Sequence, residues 1–200
     1  MTPHNTLVQL RNALALNTEE SSDFDLNAGV ELPPNRVLRP CGVLLPLVES
    51  DHGFRLILTK RSSALKHHPG QIAFPGGKVD EGDDGPVGAA LREAHEEIGL
   101  DPGNVEIIGS LPAHETVTSF SVTPVLARVK AAFDPMPEPG EVAEVFSVPL
   151  DFVTDVSRFQ IQSRHWRGVQ RHYYTVPFGP YYIWGATARI LHGLAERLSR

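Results

Sequence analysis

The chain has few of the features that place a protein outside the cell or in a membrane. Its 200 residues include a single cysteine, Cys41, so no disulfide can form within the chain. No N-terminal stretch has the pattern of a signal peptide, and the apolar runs are shorter than the ~20 residues that a membrane helix needs. We therefore expect a protein of the reducing cytoplasm without a membrane partner.

The sequence also lacks the patterns typical of zinc sites and of nucleic-acid binding. Its nine histidines form no ligand-spaced set with Cys41. The basic and aromatic segment 159–172 alternates as a strand does, which argues against a nucleic-acid partner. With 18 lysines and arginines against 24 acidic residues, the net charge is −6. An anionic ligand would therefore need a metal ion or a local group of basic residues.

A chain of this length with 41% hydrophobic residues is long enough for one domain with a sizeable core, and it contains no internal repeat. We expect residues 1–36 to form an N-terminal helix, Thr6–Leu16, and a polar arm that ends near Arg36. Such an arm can cover the domain or a partner subunit, which leaves a homodimer open. The domain itself is predicted to span residues 37–200.

Period-two and period-3.6 patterns predict a mixture of strands and helices along this domain. A final helix is expected from Tyr182 to Arg197, with Trp184 on the face that packs into the core. Further strands are expected between Arg158 and Pro177. The other predicted strands are Cys41–Val48, Phe54–Lys60, Gln71–Phe74, Val105–Leu111, Phe120–Val129 and Glu144–Val148.

One predicted helix, from Gly85 to Ile98, has three glutamates on a single stripe. Asp83 or Asp84 can cap its start, with Pro86 in the first turn, and Gly99 ends it. Residues three and four apart share a helix face, so the side chains of Glu93, Glu96 and Glu97 point the same way. A complementary apolar stripe is expected to pack on the core and to turn these carboxylates away from it.

This acidic stripe predicts a site for a hard divalent cation. The glutamates lie in the last two turns, where the helix dipole and mutual repulsion each cost a few tenths of a kcal/mol, roughly. A solvated acidic surface is the alternative, but Mg²⁺ or Mn²⁺ would make this placement favourable because both ions prefer carboxylate oxygens.

Upstream of the helix, Phe74-Pro75-Gly76-Gly77 and the following acidic segment complete a longer motif. Together with Arg92-Glu93-x-x-Glu96-Glu97-x-Gly99, this string resembles the Nudix box of diphosphate hydrolases. Asp83 stands where the box usually has its first glutamate, and eight residues instead of seven separate it from Arg92. The resemblance implies an α/β/α sandwich with a mixed sheet, with the box helix on one face and the C-terminal helix on the other.

The extra residue, and the segment from Ile57 through Thr59, Arg61, Ser62, Lys66 and Gly70 to Gly77, resemble the coenzyme A pyrophosphatase branch of that family. Ile57 and Lys66 depart conservatively from this second signature, and Ser119 stands where glycine is expected. The resemblance implies hydrolysis of coenzyme A or its acyl derivatives to 3',5'-ADP and a 4'-phosphopantetheine product. The alternatives are another nucleoside diphosphate derivative, such as a dinucleotide or nucleotide sugar, or a non-catalytic nucleotide-binding regulator.

The same resemblance assigns the site residues. Glu93 and Glu97 would bind Mg²⁺ or Mn²⁺, with Glu96 as a further ligand or as the group that orients water, and Arg92 would position a carboxylate. The predicted catalytic residues are thus Arg92, Glu93, Glu96 and Glu97, and the predicted contacts to the small-molecule substrate come from Arg61, Lys66, Gly76 and Gly77. Candidates for the general base are the carboxylates in or beside the loop 134–140, namely Glu138, Glu141 and Glu144.

Overall fold

A computed structural model describes residues 3–27, 29–30, 35–166 and 168–200, with only the backbone at position 166. Its centre is a mixed sheet built on four long strands. Strands β2 (Arg39–Ser50) and β8 (Phe120–Val129) pair in parallel, whereas β3 (Gly53–Arg61) is antiparallel to both β2 and β9 (Val142–Pro149). These four strands correspond to four of the predicted ones, and β8 has the predicted bounds.

Shorter strands extend this sheet to nine. They are β1 (Ser21–Ser22), β4 (Ile72–Ala73), β5 (Gly76–Lys78), β6 (Val105–Ser110) and β7 (His114–Glu115). Strands β10 (Gln160–Trp166) and β11 (Val169–Thr175) pair only with each other as a separate antiparallel hairpin. The alternation in segment 159–172 therefore does form strand structure, as predicted.

The helices are α1 (Pro3–Ala15), α2 (Gly85–Ile98), α3 (Leu150–Val153) and α4 (Ala186–Leu198). Helix α2 packs on one face of the sheet around Leu44, Ala90 and Val125. Helix α4 packs on the other face, where Leu191 joins a second apolar cluster with Leu45. This arrangement is the predicted α/β/α sandwich. Within the described ranges, no helix has both the length and the hydropathy needed to cross a membrane.

Two local predictions were wrong. Helix α4 begins at Ala186 rather than Tyr182, because Gly185 has a left-handed φ of 65° and Trp184 bridges to Thr175. Trp184 is therefore outside the helix and only partly buried, not in the core. The strand predicted at Gln71–Phe74 is limited to Ile72–Ala73, and the glycine pair that follows continues as a strand, β5, against β2.

The polar N-terminal segment contacts the domain of its own chain. Strand β1 pairs in parallel with β7, and buried His114 lies between Ser21 Oγ and Asp23 Oδ1, at 2.9 and 3.1 Å. Arg36 forms an ion pair with Glu115. Residues 28 and 31–34, which also belong to the predicted arm, lie outside the described residues.

Candidate active site

Helix α2 supports the site and has the predicted bounds, Gly85 to Ile98. Its C-terminus is closed by Gly99, whose φ of 71° is left-handed and favours glycine. Pro86 lies in the first turn, as predicted. The prediction for the N-cap was wrong in detail: Asp84 occupies the capping position but its side chain makes no capping hydrogen bond. Asp83 binds a different residue, Arg92, described below.

The glycine pair of strand β5 packs directly on the carboxylates of this helix. The Gly76 N–H donates to Glu97 Oε2 at 3.1 Å. A Cβ added at Gly77 would lie 2.2 Å from Glu93 Oε1, so a larger residue would displace that carboxylate. The observed contacts of Gly76 and Gly77 are thus with the acidic residues. Their predicted contact with substrate stays a prediction.

A third glycine, Gly42 in strand β2, allows the helix to approach the sheet. A Cβ at this position would lie 1.7 Å from the Pro86 carbonyl oxygen, which no side chain tolerates. Gly42 was not among the residues predicted for the site, although a glycine inside an otherwise apolar strand signals close backbone approach.

The three glutamates of the acidic stripe differ sharply in burial. Glu96 has 56% of its side chain exposed, whereas Glu97 is only 4% exposed. The expectation that all three carboxylates point away from the core was therefore wrong for Glu97, because the glycine pair of β5 covers it. Burial, with added repulsion from Glu93 and Glu141, raises the pKa of Glu97 to about 7. Burial also raises the pKa of Glu93.

A loop after strand β8 brings a further carboxylate to this position. The backbone N–H groups of Met136 and Glu138 donate to the Ile98 and Glu97 carbonyls at 3.0 and 2.9 Å, which fixes the loop on the end of α2. As a result Glu141, one of the predicted base candidates, joins Glu93 and Glu97. Each of these three residues offers an oxygen within 4.8 Å of the others. In the described part of the chain, this is the one group of its kind found.

The other two base candidates have different partners. Glu138 Oε2 accepts the N–H groups of Gly140 and Glu141, at 2.5 and 3.0 Å, and so stabilises its own loop. Glu144 accepts a hydrogen bond from the Tyr181 hydroxyl. Among the three candidates, only Glu141 belongs to the carboxylate group.

Arg92 holds the acidic residues in place through a fork of hydrogen bonds. Its Nε and Nη2 atoms each donate to one oxygen of Asp83, both at 3.0 Å. Its Nη1 atom lies 3.1 Å from both Glu93 Oε1 and Glu96 Oε2. The Asp83 carboxyl has its pKa lowered by these Arg92 hydrogen bonds. Asp83 therefore anchors Arg92, and Glu96 contacts Arg92 rather than the group formed by Glu93, Glu97 and Glu141.

The basic segment after strand β3 begins next to the carboxylates. Arg61 lies close enough to Glu97 to oppose the rise in its pKa. Its Nε is buried and has no hydrogen-bond partner among the described residues. Lys66 and His68 are exposed on the same segment. Partial desolvation, and then the charge of Arg61, lower the pKa of His68. The site therefore combines an acidic group with adjacent cations.

The carboxylate group fits a divalent metal ion. Three carboxylates share a small volume, and one of them is buried with a raised pKa, so the group is electrostatically unfavourable without a cation. Carboxylate oxygens without histidine or cysteine suit hard ions such as Mg²⁺ or Mn²⁺ and not zinc. The residues that would hold the ion are Glu93 and Glu97, with the Glu141 carboxylate beside them.

Comparisons with known proteins agree with this geometry. The family model described as NUDIX domain matches residues 38–171. A protein of Enterobacter sp. (strain 638), named uncharacterized Nudix hydrolase NudL, is 43% identical over 160 residues, which cover 80% of this chain and 83% of that protein. A protein of the same name from Pectobacterium atrosepticum is 39% identical over 194 residues, 94% of this chain and 96% of that protein.

Among solved structures, the Nudix domain of Shewanella oneidensis NrtR, crystallised with ADP ribose, superposes with a TM-score of 0.52. It covers 86% of this chain and 95% of that domain at 15% sequence identity, which supports the shared fold alone. Nudix hydrolases generally use divalent metal ions, and the carboxylate group here has the ligand atoms to hold one. The chain belongs to the Nudix family and is a hydrolase that acts on pyrophosphate bonds.

Proposed function

We propose that this hydrolase splits the diphosphate linkage of coenzyme A or its acyl derivatives, giving 3',5'-ADP and 4'-phosphopantetheine or its acyl form. The observation that carries the proposal is the location of Arg61. This residue belongs to the segment that resembles the coenzyme A pyrophosphatases, and its charge acts on Glu97. Its buried Nε lacks a hydrogen-bond partner among the described residues, and a phosphate oxygen of the substrate would supply one.

The proposed cofactor is Mg²⁺ or Mn²⁺, held by Glu93 and Glu97 with substrate oxygens and water completing its shell. When bound, the ion would neutralise charge on the diphosphate and lower the pKa of a bound water. Arg92 keeps Glu93 in position through its Nη1 contact while its other nitrogens bind Asp83. The geometry of the metal-binding carboxylates thus depends on an arginine that need not touch substrate.

Glu141 is the proposed acceptor of the proton from the attacking water. It is the exposed member of the carboxylate group, so solvent reaches it. The Ser62 N–H donates to the Glu141 carbonyl at 2.8 Å, and Arg61 pairs with Val142 at the start of β9. The base, just before β9, and the phosphate-binding arginine, at the end of β3, are therefore held side by side. Lys66, exposed on the same segment, would contact the diphosphate from the solvent side.

A coenzyme A hydrolysis assay with metal titration tests the function. Purified protein should release 3',5'-ADP and 4'-phosphopantetheine only when Mg²⁺ or Mn²⁺ is present. Glu97→Gln should lower turnover by about 10²-fold or more, because it removes a metal-binding charge while the fold is kept. Intact coenzyme A after incubation of metal-loaded protein would refute the substrate assignment, and near-normal turnover of Glu97→Gln would refute the metal role.

The role of Glu141 needs a separate measurement. Glu141→Gln should lower the rate constant for turnover by about 10²-fold, the usual contribution of a general base, with little change in metal affinity. Glu97→Gln, in contrast, should weaken metal binding measured by titration calorimetry. If Glu141→Gln weakened metal binding as much as Glu97→Gln, Glu141 would be a ligand and not the base.

A further inference from the structure

A cluster of aromatic residues with an arginine lies beside this site and has no role in the function proposed above. The Arg164 guanidinium on strand β10 lies 4.3 Å from the Trp184 ring centroid and 6.0 Å from that of Tyr173. The Tyr173 and Trp184 rings meet at 5.1 Å in an edge-to-face arrangement. The Tyr182 hydroxyl lies 3.5 Å from that of Tyr173. The β10–β11 hairpin and the segment before α4 thus form one surface.

Core packing does not account for this surface. Trp184 and Tyr173 are only partly buried, Tyr182 is 46% exposed, and Arg164 is exposed. The neighbouring Ile183 is fully buried and already anchors the segment. Within the described ranges, Arg164 forms no ion pair with a carboxylate. An exposed arginine stacked on aromatic rings is therefore available for an anionic, planar ligand.

The surface lies next to the strand that leads to the carboxylates. A Cβ at Gly185, the neighbour of Trp184, would meet Gln71 Nε2 at 3.7 Å. The Thr187 hydroxyl donates to the Ile72 carbonyl at 3.0 Å. Gly76, whose N–H binds Glu97, follows Gln71 by five residues, so the two positions are at most about 18 Å apart even in a fully extended chain. This upper limit is comparable to the length of an extended nucleoside diphosphate.

Basic residues lie both near the carboxylate group and at the surface formed by Arg164, Tyr173 and Trp184. The Arg61 N–H donates to the Gln71 carbonyl at 3.0 Å. The charges of Arg61 and then Arg164 contribute to lowering the pKa of His68, after the larger effect of desolvation. Arg61 in turn acts on Glu97. Arg61 and Arg164 therefore supply positive charge near the carboxylate group and at Trp184, in a protein whose net charge is −6.

We propose that Arg164, Tyr173 and Trp184 form the subsite for the nucleoside 3'-phosphate half of the substrate. The base packs against the aromatic side chains, and the Arg164 guanidinium binds the 3'-phosphate with its paired donors. The assignment of a 3'-phosphate rests on the proposed hydrolysis of coenzyme A. Stacking on Trp184 orients Arg164 before the ligand binds, which reduces the entropy lost on binding.

Tryptophan fluorescence tests this subsite without turnover. The chain has two tryptophans, so Trp166→Phe leaves Trp184 as the single reporter. Saturating 3',5'-ADP should change the Trp184 emission, and Arg164→Ala should raise the Kd for 3',5'-ADP by about tenfold or more. Arg164→Ala should change the Kd for 5'-AMP, which lacks the 3'-phosphate, much less. An unchanged emission, or a Kd that Arg164→Ala leaves unaltered, would overturn the proposal.

Arg158 provides a matched control. Its guanidinium also lies 4.3 Å from an aromatic centroid, that of Phe152, but at the other end of strand β3, near Phe54 and Arg55. The nine-residue strand separates its two ends by about 26 Å. Arg158→Ala should leave nucleotide affinity unchanged, and an equal loss of affinity in Arg158→Ala and Arg164→Ala would point to a general fold effect and overturn the proposal. Arg164→Lys, which preserves the charge, should retain part of the affinity.

Kinetics separate this proposal from the proposed function. Arg164→Ala should raise the KM for coenzyme A by about tenfold with kcat nearly unchanged, and should alter dephospho-coenzyme A hydrolysis far less. If the native chain hydrolyses no coenzyme A but Arg164 still determines the affinity for 3',5'-ADP, the function fails and the subsite stands. If coenzyme A is hydrolysed and Arg164→Ala has the native KM and Kd, the subsite fails and the function stands.

Discussion

Replacing Glu97 with glutamine should stabilise the metal-free protein at alkaline pH. The side chain is 4% exposed and its pKa is raised from 4.5 to about 7, mainly by burial. Glutamine removes the charge but retains an oxygen that accepts the Gly76 N–H. The variant therefore avoids the cost of a buried carboxylate that has no cation beside it.

The sign and size of the effect follow from the two pKa values. The folded chain binds the Glu97 proton more tightly than the unfolded chain, so this contribution to stability is full below pH 4.5 and is lost as the pH rises through 7. At 1.36 kcal/mol for each unit of pKa difference, the loss between pH 5 and pH 8 is about 2–3 kcal/mol. Glu97→Gln removes this loss.

Urea unfolding in EDTA at pH 5 and at pH 8 measures this loss of stability. The free energy of unfolding of Glu97→Gln, relative to the native chain, should increase by about 2–3 kcal/mol from pH 5 to pH 8. Glu96→Gln makes the same change at an exposed position one residue away and should show almost none of this increase. Added Mg²⁺ at pH 8 should stabilise the native chain more than Glu97→Gln. If the stability difference between Glu97→Gln and the native chain were equal at both pH values, the pKa of Glu97 would not be raised by folding.

Two further substitutions have defined outcomes. Ser119 has a left-handed φ of 63°, which costs an L-residue about 1–2 kcal/mol, whereas glycine loses roughly 0.5–1 kcal/mol of extra entropy on folding. Ser119→Gly should therefore raise the free energy of unfolding by about 0.5–1 kcal/mol, and an unchanged urea midpoint would contradict this. Gly77→Ala places a Cβ 2.2 Å from Glu93 Oε1 and should lower turnover by about 10²-fold. Gly29→Ala, whose Cβ meets nothing within 4 Å, should leave turnover unchanged. Equal turnover rates for the two variants would contradict the importance of close packing between Gly77 and Glu93.

The sequence predicted the parts of the fold that depend on local patterns. Helix α2 has the predicted bounds because its apolar spacing, Pro86 and Gly99 all act within the helix or next to it. The start of α4 was missed because Trp184 pairs with Thr175, a contact between segments that no local pattern reports. The strand formed by Gly76–Lys78 was missed for the same reason, since pairing with β2 stabilises it despite its two glycines.

The candidate site shows the same division. Helical periodicity placed Glu93 and Glu97 on one face, but it could not show that the glycine pair of β5 buries Glu97. The sequence offered three carboxylates as candidates for the base, and only the fold of the loop 134–140 distinguishes Glu141 from the others. The partner of Arg92 is Asp83, nine residues away, and this contact depends on how the chain enters the helix.

A competition assay tests directly whether coenzyme A is the preferred substrate. Metal-loaded protein is incubated with equal concentrations of coenzyme A, a dinucleotide and a nucleotide sugar, and the products are separated over time. We expect coenzyme A to be consumed first and to yield 3',5'-ADP and 4'-phosphopantetheine. Consumption of the dinucleotide or the nucleotide sugar ahead of coenzyme A would contradict it.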